Sequence, residues 1–133
     1  MNEQYMARAL PVVEAGDQAV ALYEQARKLN VKDGDVLLKL WMSLYEGRHY
    51  EEALDACRDA AGLYKCNDNV RYFIATYWQG ILLDVLGRRE EALERYREAL
   101  PLAGDLKIQH SQHQLLIDRA WVERRLKEPF MRN

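Results

Sequence analysis

Arg89-Glu90-Glu91-Ala92-Leu93-Glu94-Arg95-Tyr96-Arg97-Glu98-Ala99-Leu100 decides the fold class of this chain, because its pattern occurs twice before it. In each copy a polar turn runs into alanine, and alanine returns seven residues on: Gly16-Asp17-Gln18-Ala19 to Ala26, Tyr50-Glu51-Glu52-Ala53 to Ala60, and Ala92 to Ala99. The first two copies lie 34 residues apart and the last two 39. A period in the thirties is the mark of a helical repeat array. Each hairpin of such an array cannot bury its apolar face alone, so stacked neighbours share a core.

Outward from these copies, glycine and proline are scarce, at 7 and 3, and cluster where helices should end, and there is little strand-length alternation of apolar and polar residues. The periodicity predicts an all-α chain. A first helix spans 4–14, shortened or kinked by Pro11, and a turn at Gly16-Asp17 leads into a second over 18–29 with Asp17 as its N-cap. A third, over 36–46, is capped by Asp35 and is apolar almost all round, which implies burial on every side or a face on a groove. Further helices are expected over 50–64, 70–86 and 89–102, with Gly87 as a C-terminal cap. A seventh runs over 108–127 and is stopped by Pro129. Short turns make neighbours antiparallel, so six helices pair into three hairpins and the seventh caps the stack. The expectation is one domain over 1–133, with repeats at 3–34, 36–66 and 70–105 and the capping helix at 108–127.

Bulk properties narrow the function class. A chain of 133 residues, 49% apolar and 30% charged, is globular in composition. Its net charge of −2 gives no general attraction to nucleic acid. No apolar run reaches the roughly 18 residues of a membrane span. The opening Met1-Asn2-Glu3-Gln4-Tyr5 lacks the basic and apolar pattern of a secretory leader. Cys57 and Cys66 have no metal-site spacing, so the expectation is two reduced thiols in a cytoplasmic protein.

The segments Tyr45-Glu46-Gly47-Arg48-His49-Tyr50-Glu51-Glu52-Ala53-Leu54 and Leu86 to Leu100 resemble the tetratricopeptide repeat. That family places alanine, an aromatic residue four on and alanine three beyond in the second helix of each hairpin. Here those positions are Ala19, Tyr23 and Ala26; Ala53, Cys57 and Ala60; and Ala92, Tyr96 and Ala99. The small first-helix residue of the pattern matches Ala7 and Gly80, while Trp41 stands there in the second repeat and should splay that hairpin. Leu37 and Thr76 replace the early tryptophan, and Val31, Lys65 and Gly104 stand near the missing closing prolines. The resemblance implies an α-solenoid, a right-handed superhelix of antiparallel hairpins. It also implies a partner-binding groove on the first helices, lined by Leu38, Met42 and Tyr45, then Ile74, Tyr77, Ile81 and Asp84. Ser111, Leu115, Asp118 and Arg119 of the capping helix would close its far wall.

Other residues suggest less. His110 and His113 share a helix face, but two imidazoles alone are a poor metal site. Arg124 and Arg125 offer phosphate contacts, or serve only to offset a helix dipole. Arg88 to Glu91 read as solvated, mixed-charge surface. No phosphate loop, nucleophile elbow or zinc-protease helix occurs, so neither an enzyme nor a cofactor is expected. The expected function is a protein-interaction scaffold that takes a helix or peptide of a partner on an apolar first-helix face. The alternatives are an accessory domain meeting nucleic acid through the basic C-terminal helix, and a structural homodimer using the apolar face.

Overall fold

The computed structural model describes residues 3–103, 108–110, 115–117 and 119–132, with side chains within 14–103 and 119–132. Six helices occur among them: α1 Glu3–Lys28, α2 Gly34–Glu46, α3 Tyr50–Tyr64, α4 Asn69–Val85, α5 Arg89–Ala103 and α6 Arg119–Lys127. Between α5 and α6, β1 Ile108–His110 pairs antiparallel with β2 Leu115–Ile117, Ile108 opposite Ile117. The chain divides into two compact units, Met1–Leu63 and Tyr64–Asn133.

In the first unit the expected hairpin of 4–14 and 18–29 is a single helix. Gly16 is not a turn residue. A Cβ on it would stand 2.8 Å from Gly47 Cα, so it is the glycine that lets α1 and α2 cross backbone to backbone. Asp17 leaves the capping role and accepts from His49 Nε2 at 3.0 Å across that crossing. The α1 C-terminus closes as a Schellman turn: Val31 N–H reaches Ala26 O, Asn30 N–H reaches Arg27 O, and Asn30 takes φ 53. The N-cap of α2 is Asp33, not Asp35, accepting from the Asp35 and Val36 amides. From α3, Asp59 accepts from the Tyr23 hydroxyl at 2.7 Å and from Arg27 Nε at 3.3 Å. Burial, with Asp59 beside it, holds the Tyr23 phenol well above its usual range.

The α2–α3 turn repeats the Schellman pattern, with His49 N–H on Leu44 O and Arg48 N–H on Tyr45 O. Here Arg48 carries the left-handed conformation, at φ 65. The neighbouring Gly47 cannot serve there, because its place is set by the contact with Gly16. Arg48→Gly should therefore stabilise the fold by about 0.5–1 kcal/mol, read as a melting temperature about 2–4 °C higher. An unchanged or lowered melting temperature would contradict this reading of the turn.

In the second unit Asp68 caps α4, accepting from the Arg71 amide at 3.0 Å. That bond, with the Arg71 guanidinium, holds its carboxyl below the usual range. Residues 75–84 are buried without a break. It is thus α4 that is enclosed on all sides, whereas α2 leaves Val36 exposed and Leu38, Leu40 and Tyr45 half-buried. Gly80 makes α4 thin where it meets α5: a Cβ there would lie 2.3 Å from Tyr96 Cε1. Gly87 ends the helix at φ 76, with Arg88 N–H on Leu83 O and its own N–H on Asp84 O.

All six repeat alanines are buried, as are Tyr23, Cys57 and Tyr96 between them. Trp41 is also buried, edge-on to Tyr45 at 6.3 Å. The capping helix is shorter than expected, Arg119–Lys127 rather than 108–127, because 108–110 and 115–117 pair as strands. Leu115 and Leu116 fit a helical stripe equally well, and a run that short cannot separate the two by periodicity.

Candidate functional site

The positions expected to line a groove fall in both units and differ in exposure. Leu38, Tyr45 and Ile74 are half-buried, whereas Met42, Tyr77, Ile81 and Asp84 are buried. Tyr77 is enclosed by rings, with Phe73 stacked at 6.3 Å, Trp78 edge-on at 6.2 Å and Tyr96 at 5.9 Å. Leu115 lies in β2, its side chain outside the described residues, as are Ser111 and Asp118. Arg119 is exposed at the start of α6 and pairs with Glu123 at 3.0 Å.

Asp84 has another role. Its side chain is fully buried in the last turn of α4, and the Gly87 turn brings Arg89 back over it. Arg89 NH1 donates to both carboxylate oxygens at 3.1 and 3.0 Å, and the Tyr96 hydroxyl donates to Oδ2 at 2.7 Å. A fourth bond comes from the main-chain N–H of Phe130, at 3.0 Å. Meanwhile Arg89 NH2 donates to the carbonyls of Arg125 and Leu126 at 2.7 and 3.3 Å. The reason lies in the sequence. The helical partner of the Arg125 carbonyl would be the amide of residue 129, which is proline and has none. The partner of the Leu126 carbonyl would be Phe130 N–H, which has gone to Asp84. One acidic and one basic side chain thus replace the next turn of α6.

Arg125, for which the sequence offers a phosphate contact or an offset to the helix dipole, is only 7% exposed. Its guanidinium lies over the Phe130 ring at 5.7 Å and reaches Pro129 O at 3.4 Å, while its buried Nε has no hydrogen-bond partner among the described residues. An unmet buried donor costs about 1–3 kcal/mol. Arg124 is exposed and paired with Glu128 at 2.8 Å. Burial pushes the Tyr77 phenol up to about 12, against the opposing Arg125 and Arg124 charges, and lifts Tyr96 further still with help from Asp84. A raised acid pKa in the folded state stabilises below the unfolded value near 10 and loses that contribution as pH climbs toward the folded value. Helix content should therefore fall between pH 10 and about 12, with buried tyrosines ionising in the same step. Tyrosinate absorbance followed beside far-ultraviolet circular dichroism checks this; full ionisation near pH 10 with helices intact would refute it.

An open feature lies elsewhere. In the first unit a cleft of about 300 Å3 is lined by Ala26, Arg27, Asn30, Val31, Lys32, Leu37, Asp59 and Leu63. The Schellman turn at Asn30 makes it, by swinging the chain away from the end of α1 before Asp33 starts α2. Its lining mixes the apolar Ala26, Val31, Leu37 and Leu63 with the polar Asn30 and Lys32, and its charged pair, Arg27 with Asp59, is already satisfied.

Among the described residues no group of three or more His, Cys, Asp or Glu is placed to hold a metal ion. His110 is in β1 with its side chain outside the described residues, and His113 lies outside them altogether. Cys57 is buried and its thiol is pushed up by that burial, while Cys66 is exposed. No described helix is long and apolar enough to cross a membrane. The chain matches no protein-family model, no curated protein and no solved structure.

Sequence reasoning missed Arg89, taken as solvated surface, and the cleft residues. The signal for Arg89 was present in Leu86-Gly87, a helix stop that fixes it five residues after Asp84. The cleft had no such signal, since it depends on how three helices meet.

Proposed function

We propose that this chain is a protein-interaction module: a tetratricopeptide-like scaffold that takes a helix or extended segment of a partner at the cleft of its first unit. One observation carries the reading. Of the five exposed large apolar residues among those described, Leu22, Leu29 and Val36 belong to α1, its closing turn and the start of α2, which also supply most of the cleft lining. Single exposed aliphatics are ordinary. On the same elements that line the cleft, they favour docking there. An aliphatic or aromatic anchor would enter between Val31, Leu37 and Leu63, with Lys32 and Asn30 free to bond partner carbonyls at the rim.

The expected first-helix groove supports the reading less, because Met42, Tyr77, Ile81 and Asp84 are occupied in packing. The nucleic-acid alternative loses its two cations, one buried and one paired. For a test, the chain and a Leu29→Glu/Val36→Glu variant are compared in quantitative affinity capture. The variant should retain its melting temperature and lose at least ten-fold in recovery of the partner. Equal recovery from both would contradict the site. Light scattering over a dilution series identifies a second copy as the partner if it shows a dimer that the same substitutions dissolve.

A further inference from the structure

Between residues 14 and 29, α1 and its closing turn carry two adjoining stripes. Gly16, Ala19, Tyr23 and Ala26 form the buried one. One residue before each lie Ala15, Gln18, Leu22 and Gln25, and Leu29 continues their stripe through its amide bond to Gln25 O at 3.0 Å. Spacings of three and four put all five on one face. All are exposed, Leu22 at 53% and Leu29 at 68%, and none is charged. The uncharged arc of α1 is therefore wider than the arc its neighbours bury.

The same register is used differently after the other two alanine pairs. In α3 it holds Glu52, Ala56, Asp59 and Leu63, where Ala56 is fully buried and Asp59 is engaged by Tyr23 and Arg27 of α1. At α5 it holds Arg88, Glu91, Arg95 and Glu98, which close two ion pairs. On α3 this face meets another helix, and at α5 charge solvates it. On α1 it is uncharged and open.

We propose that α1 packs antiparallel on α1 of a second copy of this chain, about a two-fold axis at Leu22. The occupant follows from the order of residues along the stripe. The two-fold sets Leu22 on the partner's Leu22 and brings Ala15 opposite the partner's Leu29, small against large. Gln18 falls beside the partner's Gln25, each amide offering a donor and an acceptor to the other. Charge fits as well. Glu14 and Lys28 share the outer flank, close to four turns apart, and make no ion pair among the described residues. Asp17 and Arg27 are held by His49 and Asp59. A two-fold keeps each flank on its side and reverses direction, so Glu14 arrives within about 3 Å, along the helix axis, of the partner's Lys28. Parallel pairing would instead set Glu14 on Glu14 and Lys28 on Lys28. The interface uses none of the residues that line the cleft, so it stands apart from that reading.

A single helix pair is small for an interface, so its dissociation constant is expected between about 1 µM and about 1 mM. Sedimentation equilibrium of the full chain across that range should show monomer exchanging with dimer. Leu22→Glu should weaken the dimer at least ten-fold, while Val36→Glu, on α2, leaves it unchanged. Glu14→Lys and Lys28→Glu should each weaken it about three-fold. An equimolar mixture of those two variants should associate more tightly than either alone, because both cross-pairs are then opposite in sign. A chain still monomeric at about 1 mM, a dimer indifferent to Leu22→Glu, or no gain on mixing overturns the proposal. A dimer lost with Val36→Glu but kept with Leu22→Glu places the second copy at the cleft and overturns it too.

Discussion

Asp84→Ala is expected to destabilise the second unit by about 3–5 kcal/mol, the range for removing one partner of a buried charge pair. The size follows from what is left behind. Arg89 keeps its charge with no carboxylate opposite, the Tyr96 hydroxyl stays buried without an acceptor, and the Phe130 amide loses its only bond from α4. Asp84→Asn should fall between parent and Ala variant, since its amide oxygen still accepts but its NH2 meets the donors of Arg89. Urea unfolding followed by circular dichroism measures both. Loss of less than about 1 kcal/mol for the Ala variant, the level of an exposed ion pair, would mean that water replaces Asp84 and that the site is open.

Gly80→Ala is the second large effect. A Cβ at 2.3 Å from Tyr96 Cε1, with Cδ1 and Cζ also within 2.8 Å, cannot be relieved by a small side-chain adjustment. The ring is buried, and its hydroxyl is tied to Asp84 at 2.7 Å. Either α4 and α5 separate or Tyr96 gives up that bond. Overpacking of this kind costs typically 1–3 kcal/mol, and the lost bond adds about 1 more. Tyr96→Phe in the same background should recover little, because the clash is with ring atoms. A Gly80→Ala variant as stable as the parent would show that the two helices are not in the contact described.

Much of the fold can be read from residues whose chemistry is local. Gly87 after Leu86 marks a helix end by a backbone freedom that needs no neighbour. The alanine pairs are legible because small residues at helical spacing matter only where helices touch. Gly16 was misread for the complementary reason. Its sequence context suits a turn, and only the facing Gly47 shows that it marks a crossing. Asp84 looked like a groove acid because its helix position suggested exposure. Its burial depends on Arg89, Tyr96 and Phe130, which arrive from 5, 12 and 46 residues away. Positions 108–110 and 115–117 failed differently, since their apolar residues satisfy both periods over so short a run.

The central claim is that a partner docks at the α1–α2 cleft, and photo-cross-linking tests it most directly. A photoreactive residue replaces Leu29, which is 68% exposed beside the cleft, and in a second variant Glu94, exposed on α5. After irradiation in the native extract, mass spectrometry compares what each variant has bound covalently. The account predicts one protein, or a second copy of this chain, enriched at least ten-fold at position 29 over position 94. Equal labelling at the two positions, or a partner captured only at 94, would contradict it.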